Sequence, residues 1–283
     1  MISLLLAILG MVFLAVVLKA GEHRRRSRMV LMSANYLAAT ALSLGYYFWT
    51  GSVPAGIATA LWGGATGIVY AASLLLWMVV IRQAGVGTST TAMRLSVVWP
   101  TLLSVLVFRE SPSLWQGLGV ALALGAVVLL AVGSSLAPRL RHGSGPGWVI
   151  ALFVTSGMCS SFLKLFQQWG APAQRPAYLA AIFLSAGVIC WSWVAWRRWR
   201  LGERLHGPDV RDGLLFGVGN AVGNGFLLKS LETVPGVLAF PLRDSASIVI
   251  VSVIGAVVWK ERPGRLGTAA LAAATAAVAL MAF

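Results

Sequence analysis

Four charged side chains stand inside otherwise apolar runs of this 283-residue chain: Arg94, Lys164, Arg243 and Asp244. An ionised group in the middle of hydrocarbon is costly, so it must find a partner, line a wet cavity or reach the surface. Arg94 and Arg243 each lie about two turns inside a run, roughly 10 Å deep at about 1.5 Å per residue. Their guanidiniums could bind an anionic or polar substrate or form gating pairs. Alternatively, each snorkels to headgroups along its aliphatic stem. Asp244 is the one carboxylate inside a run; Glu22, Glu110, Glu203, Asp209, Asp212, Glu232 and Glu261 map to loops or run ends. A proton-coupled carrier of cations needs a buried carboxylate, and Asp244 is the sole candidate. Its alternative role is to neutralise Arg243 or Lys164. Lys164 lies about one turn from the end of its run, ahead of Gln167, Gln168 and Trp169, and is expected to snorkel.

Neutral polar residues form a second group. Asn220 and Asn224 are one helical turn apart, so their amides share a face and could line a polar cavity or bond between helices as packing glue. Asn35, Tyr36, Thr66 and Tyr70 extend the same argument more weakly, and Trp99 stands mid-run where an aromatic could stack on a solute or simply pack. His23, His142 and His206 fall in loops without ligand spacing, and no glycine loop leads into a GK[ST] phosphate cradle. No catalytic residue, metal site or cofactor is therefore expected, and the chain is not read as an enzyme.

The elements that must position these residues are membrane helices. The composition is 58% hydrophobic and only 11% charged, with a mean hydropathy of +0.83. Its apolar runs approach the roughly 20 residues that cross about 30 Å of hydrocarbon. Strands are excluded because the runs do not alternate and lipid cannot satisfy open edges. Ten spans are expected, at 2–19, 29–49, 57–81, 87–108, 114–133, 148–168, 177–196, 212–231, 236–259 and 265–283. The run Met1–Leu18 lacks a basic leader and a cleavage signal, so it is expected to persist as the first helix. Cys159 and Cys190 lie inside apolar runs and read as small buried hydrophobes.

Net charge +14 does not point to nucleic acid here, because the basic residues crowd into the odd-numbered loops, as at Arg24-Arg25-Arg26 and Arg197-Arg198-Trp199-Arg200. The even-numbered loops and their edges carry Arg109, Arg175 and Lys229. Positive-inside then places the odd loops in the cytoplasm of an inner (plasma) membrane protein and both termini outside. Tryptophans at span ends, including Trp49, Trp115, Trp148, Trp169, Trp196, Trp199 and Trp259, form the expected aromatic belt.

The chain also echoes itself. Arg94 and Arg243 stand early in runs that end in Phe108-Arg109-Glu110-Ser111-Pro112 and Trp259-Lys260-Glu261-Arg262-Pro263, at nearly equal offsets. Such self-similarity fixes architecture. It gives two five-helix units, 1–133 and 148–283, joined by a linker at 134–147 rich in glycine, proline and arginine. An odd number of spans per unit makes the second copy enter from the opposite face, a recurring transporter plan with the site between halves.

The residues of the echo resemble a known family. A long apolar helix, Glu110, Pro112 and then Leu114-Trp115-Gln116-Gly117 look like the EamA domain of the drug/metabolite transporter superfamily. Phe226-Leu227-Leu228-Lys229-Ser230-Leu231-Glu232 with Val234-Pro235-Gly236 resembles that domain's third-to-fourth helix junction. Unlike many members, the chain has its basic cluster after the first helix, and that helix holds no acid. The latter separates it from the small four-helix multidrug antiporters of the superfamily. The expectation is an all-α polytopic membrane protein that moves a small-molecule metabolite or drug-like solute by alternating access. Its candidate cavity residues are Arg94, Arg243, Asp244, Asn220, Asn224, Asn35, Tyr36, Tyr70 and Trp99. The alternatives are a lipid-carrier flippase and a membrane sensor or scaffold. Membrane lipids are the expected surroundings, nucleic acid is excluded as a partner, and a homodimer is left open.

Overall fold

The computed structural model describes residues 1–22, 28–51, 54, 56–133, 146–201, 206–258, 260 and 264–281. All of its regular structure is helical. The helices are α1 (Ile2–Glu22), α2 (Arg28–Trp49), α3 (Ile57–Leu95), α4 (Val98–Leu106), α5 (Leu114–Gly133), α6 (Pro146–Trp169), α7 (Arg175–Leu201), α8 (Gly207–Ser230), α9 (Gly236–Val258) and α10 (Arg265–Met281), with a short 3₁₀ turn at Pro172–Gln174. The linker at 134–147 falls almost wholly outside the described residues, as do Arg24–Arg26, Trp259, Glu261 and Pro263.

Among the described residues, five helical stretches are long and apolar enough to cross a membrane: Met29–Trp49, Ile57–Gln83, Gly147–Trp169, Pro172–Arg200 and Gly236–Val258. Ile2–Val17, Leu114–Leu129 and Arg265–Met281 are apolar but shorter. The outward surface is itself apolar. Ile2, Leu5, Leu9 and Phe13 are exposed along one side of α1, and Trp49, Trp115, Trp148, Trp169, Trp196 and Trp199 are exposed near helix ends. A contiguous surface of this kind belongs against lipid, with the tryptophans at the interfacial belt.

The expected boundary between the third and fourth spans is present as a glycine. Gly85, at φ 85° and ψ 168°, leaves helical space and divides α3 into two segments. A second break, unforeseen in the sequence, cuts the fourth span at Ser96–Val97. Pro100 has no N–H for the Ser96 carbonyl. The backbone tightens instead, with Val97 N donating to Arg94 O at 3.2 Å and Trp99 N to Ser96 O at 3.0 Å.

Packing is mostly between the first five helices and the last five. Helix α8 lies against α1 and α2, α7 against α2 and α3, α6 against α3 and α4, α10 against α5, and α9 against α1, α4 and α5. Glycines make the closest approaches. A Cβ on Gly213 or Gly217 of α8 would stand 2.2 Å from the Leu31 or Asn35 carbonyl oxygen of α2. A Cβ on Gly67 of α3 would stand 1.9 Å from Ser185 Oγ, and one on Gly63 would stand 2.6 Å from Ala181 Cβ, both on α7. This is the small-xxx-small packing of membrane helices.

Candidate functional site: a polar cavity between the helices

A cavity of about 300 Å³ lies where α1, α2, α3, α6, α8 and α9 meet. Eight of the nine expected residues line it: Arg94, Arg243, Asp244, Asn220, Asn224, Asn35, Tyr36 and Tyr70. Trp99 does not. It is 41% exposed, lies 6.0 Å from the Phe153 ring, and fills the space a side chain on Gly157 would need. Its face of α4 points away from the cavity.

The charged group of the wall is compact. Arg243 Nε and Nη2 both reach Asp244 Oδ1 at 2.8 Å. Both side chains are buried, so this neighbouring pair satisfies itself from one helix. Asp244 is thus paired with Arg243 and not with Lys164. Arg94 lines the same cavity. Lys164 is not part of this group.

A directed row of hydrogen bonds forms the neutral polar wall. Tyr70 OH donates to Asn224 Oδ1 at 3.0 Å, Asn224 Nδ2 to Asn220 Oδ1 at 2.6 Å, and Asn220 Nδ2 to Asn35 Oδ1 at 3.0 Å. The row joins α3, α8 and α2. Tyr36 OH donates to the Tyr70 carbonyl at 3.3 Å. The amides therefore face a polar space and also bind helices together, fulfilling both roles considered for them. Ser73 and Ser156, not anticipated from the sequence, meet Oγ to Oγ at 3.0 Å on the same wall. Cys159 lines the cavity as well, whereas Cys190 is fully buried; only the latter behaves as a core hydrophobe.

One turn beyond Tyr70 the space is filled. Thr66 Oγ1 and Tyr178 OH are 2.9 Å apart, and the Tyr178 ring stacks on Phe166 at 3.7 Å with Trp62 edge-on to Phe166 at 5.8 Å. Beside this aromatic plug lies Lys164, where the snorkelling expectation fails. The side chain is 2% exposed, with Nζ 2.5 Å from Glu110 Oε1 and 3.0 Å from Gln167 Oε1. Its stem ends 5.3 Å from the centre of the Phe108 ring. Glu110 Oε2 in turn accepts the Val237 N–H at 2.8 Å, in the first turn of α9. The Glu110 carboxylate thus meets both a cation and a helix N-terminus.

Its inward aim has a local cause. Arg109 holds a left-handed φ of 52°, and Glu110 N bonds back to Ser104 O at 3.0 Å, so the chain turns into the bundle at the end of α4. Glu110 is therefore more than a helix-boundary signal. Lys260, the counterpart of Arg109 in the sequence echo, has a φ of 54°.

Fold and cavity together define a multi-pass helical membrane protein with a polar, charge-lined chamber between its halves. Residues 1–132 match the model of the EamA-like transporter family. A 70-residue stretch is 33% identical to the probable 4-amino-4-deoxy-L-arabinose-phosphoundecaprenol flippase subunit ArnE of Escherichia coli O45:K1 strain S88, covering 25% of this chain and 63% of that protein. The same subunit from Escherichia coli strain 55989 is 32% identical over 71 residues, covering 25% of this chain and 64% of its own. The chain thus spans less than two thirds of these curated relatives. A crystal structure superposes with a TM-score of 0.71 over 99% of this chain and 98% of its own at 14% identity, a likeness of fold alone.

Proposed function

We propose that the chain is a secondary transporter that moves a small metabolite or drug-like solute across the inner membrane by alternating access. It would work as two inverted five-helix units over 1–133 and 148–283, with the basic odd loops cytoplasmic and both termini outside. The observation that carries the reading is the chamber itself, where charged and amide side chains from both halves converge between packed helices. Buried charge of this kind is expensive unless it serves a solute path.

Three features support the inverted pair. Exchanging each helix with its counterpart in the other half turns the α1–α8 packing into α3–α6, α2–α8 into α3–α7, and α1–α9 into α4–α6. Gly63/Gly67 and Gly213/Gly217 make matching close approaches. The left-handed residues Arg109 and Lys260 occupy matching positions. The filled side at Phe166, Tyr178 and Lys164, opposite a cavity reaching Trp77, Thr90 and Val251, fits a state open toward the basic loops. Rocking between such states is how inverted repeats move a solute.

The test is Arg243→Met in the intact protein: transport is lost while membrane abundance is unchanged. Unchanged transport would remove Arg243 from the central site. The ArnE similarity is compatible with a second reading, a flippase for a lipid-linked sugar. A volume of about 300 Å³ is at the small end for a ligand pocket, so a lipid tail would have to remain in the bilayer. Solute uptake and lipid translocation, assayed in the same vesicles with and without a pH gradient, separate the two.

A further inference from the structure

We propose that the cavity takes a small amphipathic solute bearing one anionic group, and that Arg94 receives that group. The inference rests on the transporter reading for the purpose of the cavity, and on the charges of its wall for the substrate class.

The described charged residues of the wall are Arg94, Arg243 and Asp244. Arg243 commits two nitrogens to one oxygen of its neighbour Asp244, a pair that forms within one helix and needs no ligand. Among the described residues Arg94 has no carboxylate in ion-pair contact. The described wall of the cavity therefore carries one positive charge in excess. A guanidinium in a low-dielectric wall gains most from an anion that completes it. A cationic solute would meet two guanidiniums and a carboxylate already engaged, whereas a neutral solute would leave Arg94 as it is.

The rest of the wall describes the body of the solute. Trp77, Phe216, Leu14 and Met32 offer an apolar side, while the amides of Asn35 and Asn220 offer hydrogen bonds. A carboxylate or phosphate monoester on a compact apolar frame satisfies both.

Cys159 provides a readout independent of transport, because it lines the cavity while Cys190 is buried in the core. The full-length protein in vesicles is alkylated with N-ethylmaleimide in the presence of phenylacetate, phenylacetamide, phenethylamine, phenyl phosphate or dodecyl phosphate. The anions are expected to protect Cys159 at concentrations about tenfold below those of the amide and the amine. Arg94→Gln is expected to erase that preference and Arg94→Lys to keep much of it. Equal protection by the amine or the amide in the unaltered protein overturns the proposal, as does a preference that survives Arg94→Gln or an absence of protection by any anion. Stronger protection by dodecyl phosphate than by phenyl phosphate assigns the anion to a lipid headgroup and contradicts the small-solute form. Protection without counterflow of phenyl phosphate above protein-free vesicles overturns the transporter reading and leaves the anion site standing.

Discussion

The ion pair between Glu110 and Lys164 can be weighed by a double-mutant cycle. Lys164 Nζ is 2% exposed and has Glu110 Oε1 at 2.5 Å and Gln167 Oε1 at 3.0 Å. Glu110→Gln keeps the shape but leaves a buried ammonium without a counter-ion, which costs about 3–5 kcal/mol. Lys164→Met removes the cation instead. Glu110 is then left with 17% exposure and the Val237 N–H at 2.8 Å, so the cost should stay near 1–2 kcal/mol. The double variant leaves neither charge stranded and should lie within about 1 kcal/mol of the parent, a coupling of at least about 3 kcal/mol. At roughly 2–4 °C per kcal/mol for larger domains, Glu110→Gln should lower Tm in detergent by about 6–20 °C, and adding Lys164→Met should restore most of it. Additive losses would refute the reasoning, because they would mean that the two groups are stabilised by other neighbours. If, as proposed, the side holding this pair is the closed one, either single variant should favour the opposite opening and slow alkylation of Cys159 from the basic-loop face.

The glycine contacts make a paired prediction. Gly67→Ala and Gly217→Ala should each destabilise by about 1–3 kcal/mol through overpacking, whereas Gly64→Ala, whose Cβ would meet nothing within 4 Å, should stabilise by about 0.5–1 kcal/mol; thermal unfolding in detergent reads both signs. Asp244→Asn frees Arg243 from two contacts of 2.8 Å and should tighten phenylacetate binding about three- to thirtyfold, equivalent to about 1–2 kcal/mol. If that variant instead loses only the transport driven by a pH gradient, Asp244 is a proton site. Asn220→Leu removes the middle of the amide row and should impair transport, measured as solute counterflow, more than it lowers Tm, because Asn35 and Asn224 remain beside the cavity.

The sequence made the helices and much of the cavity legible for one physical reason. Charge and amide are rare in these runs, so Arg94, Arg243, Asp244 and Asn220 announced themselves. The break expected between the spans at 57–81 and 87–108 falls where Gly85 leaves helical space. What escaped notice depended on facing or on distance. Trp99 sits mid-run, but when lipid and core are both apolar a helix has no readable inner side, and its ring lies outside. Lys164 lay near enough to a helix end to suggest snorkelling, yet its counter-ion comes from the other half of the chain. Glu110 looked like a terminator because nothing local reveals that a left-handed Arg109 would turn it inward. The Pro100 break was readable in principle from the missing N–H, but a proline in an apolar run does not say which way the helix will adjust.

Packing and cavity chemistry are linked through α8. Gly217 brings α8 so close to α2 that a methyl group would fall 2.2 Å from the Asn35 carbonyl oxygen. About one turn further along α8, Asn220 reaches Asn35 Oδ1 at 3.0 Å. Ordinary carbon–oxygen contact needs more than 3 Å, so a side chain at Gly217 would part the helices by about 1 Å. A hydrogen bond of that length tolerates only about half an ångström before it is lost. The amide row therefore depends on the absence of a side chain at Gly217, although that residue carries no chemistry of its own. On α3, Gly67 sits about one turn from Tyr70, the hydroxyl that begins the row, and holds α3 against α7 in the same way. The small residues set the spacing at which the polar ones can meet, so a change in helix separation would be felt at once as a change in the cavity wall. The proposed alternating access would depend on that coupling.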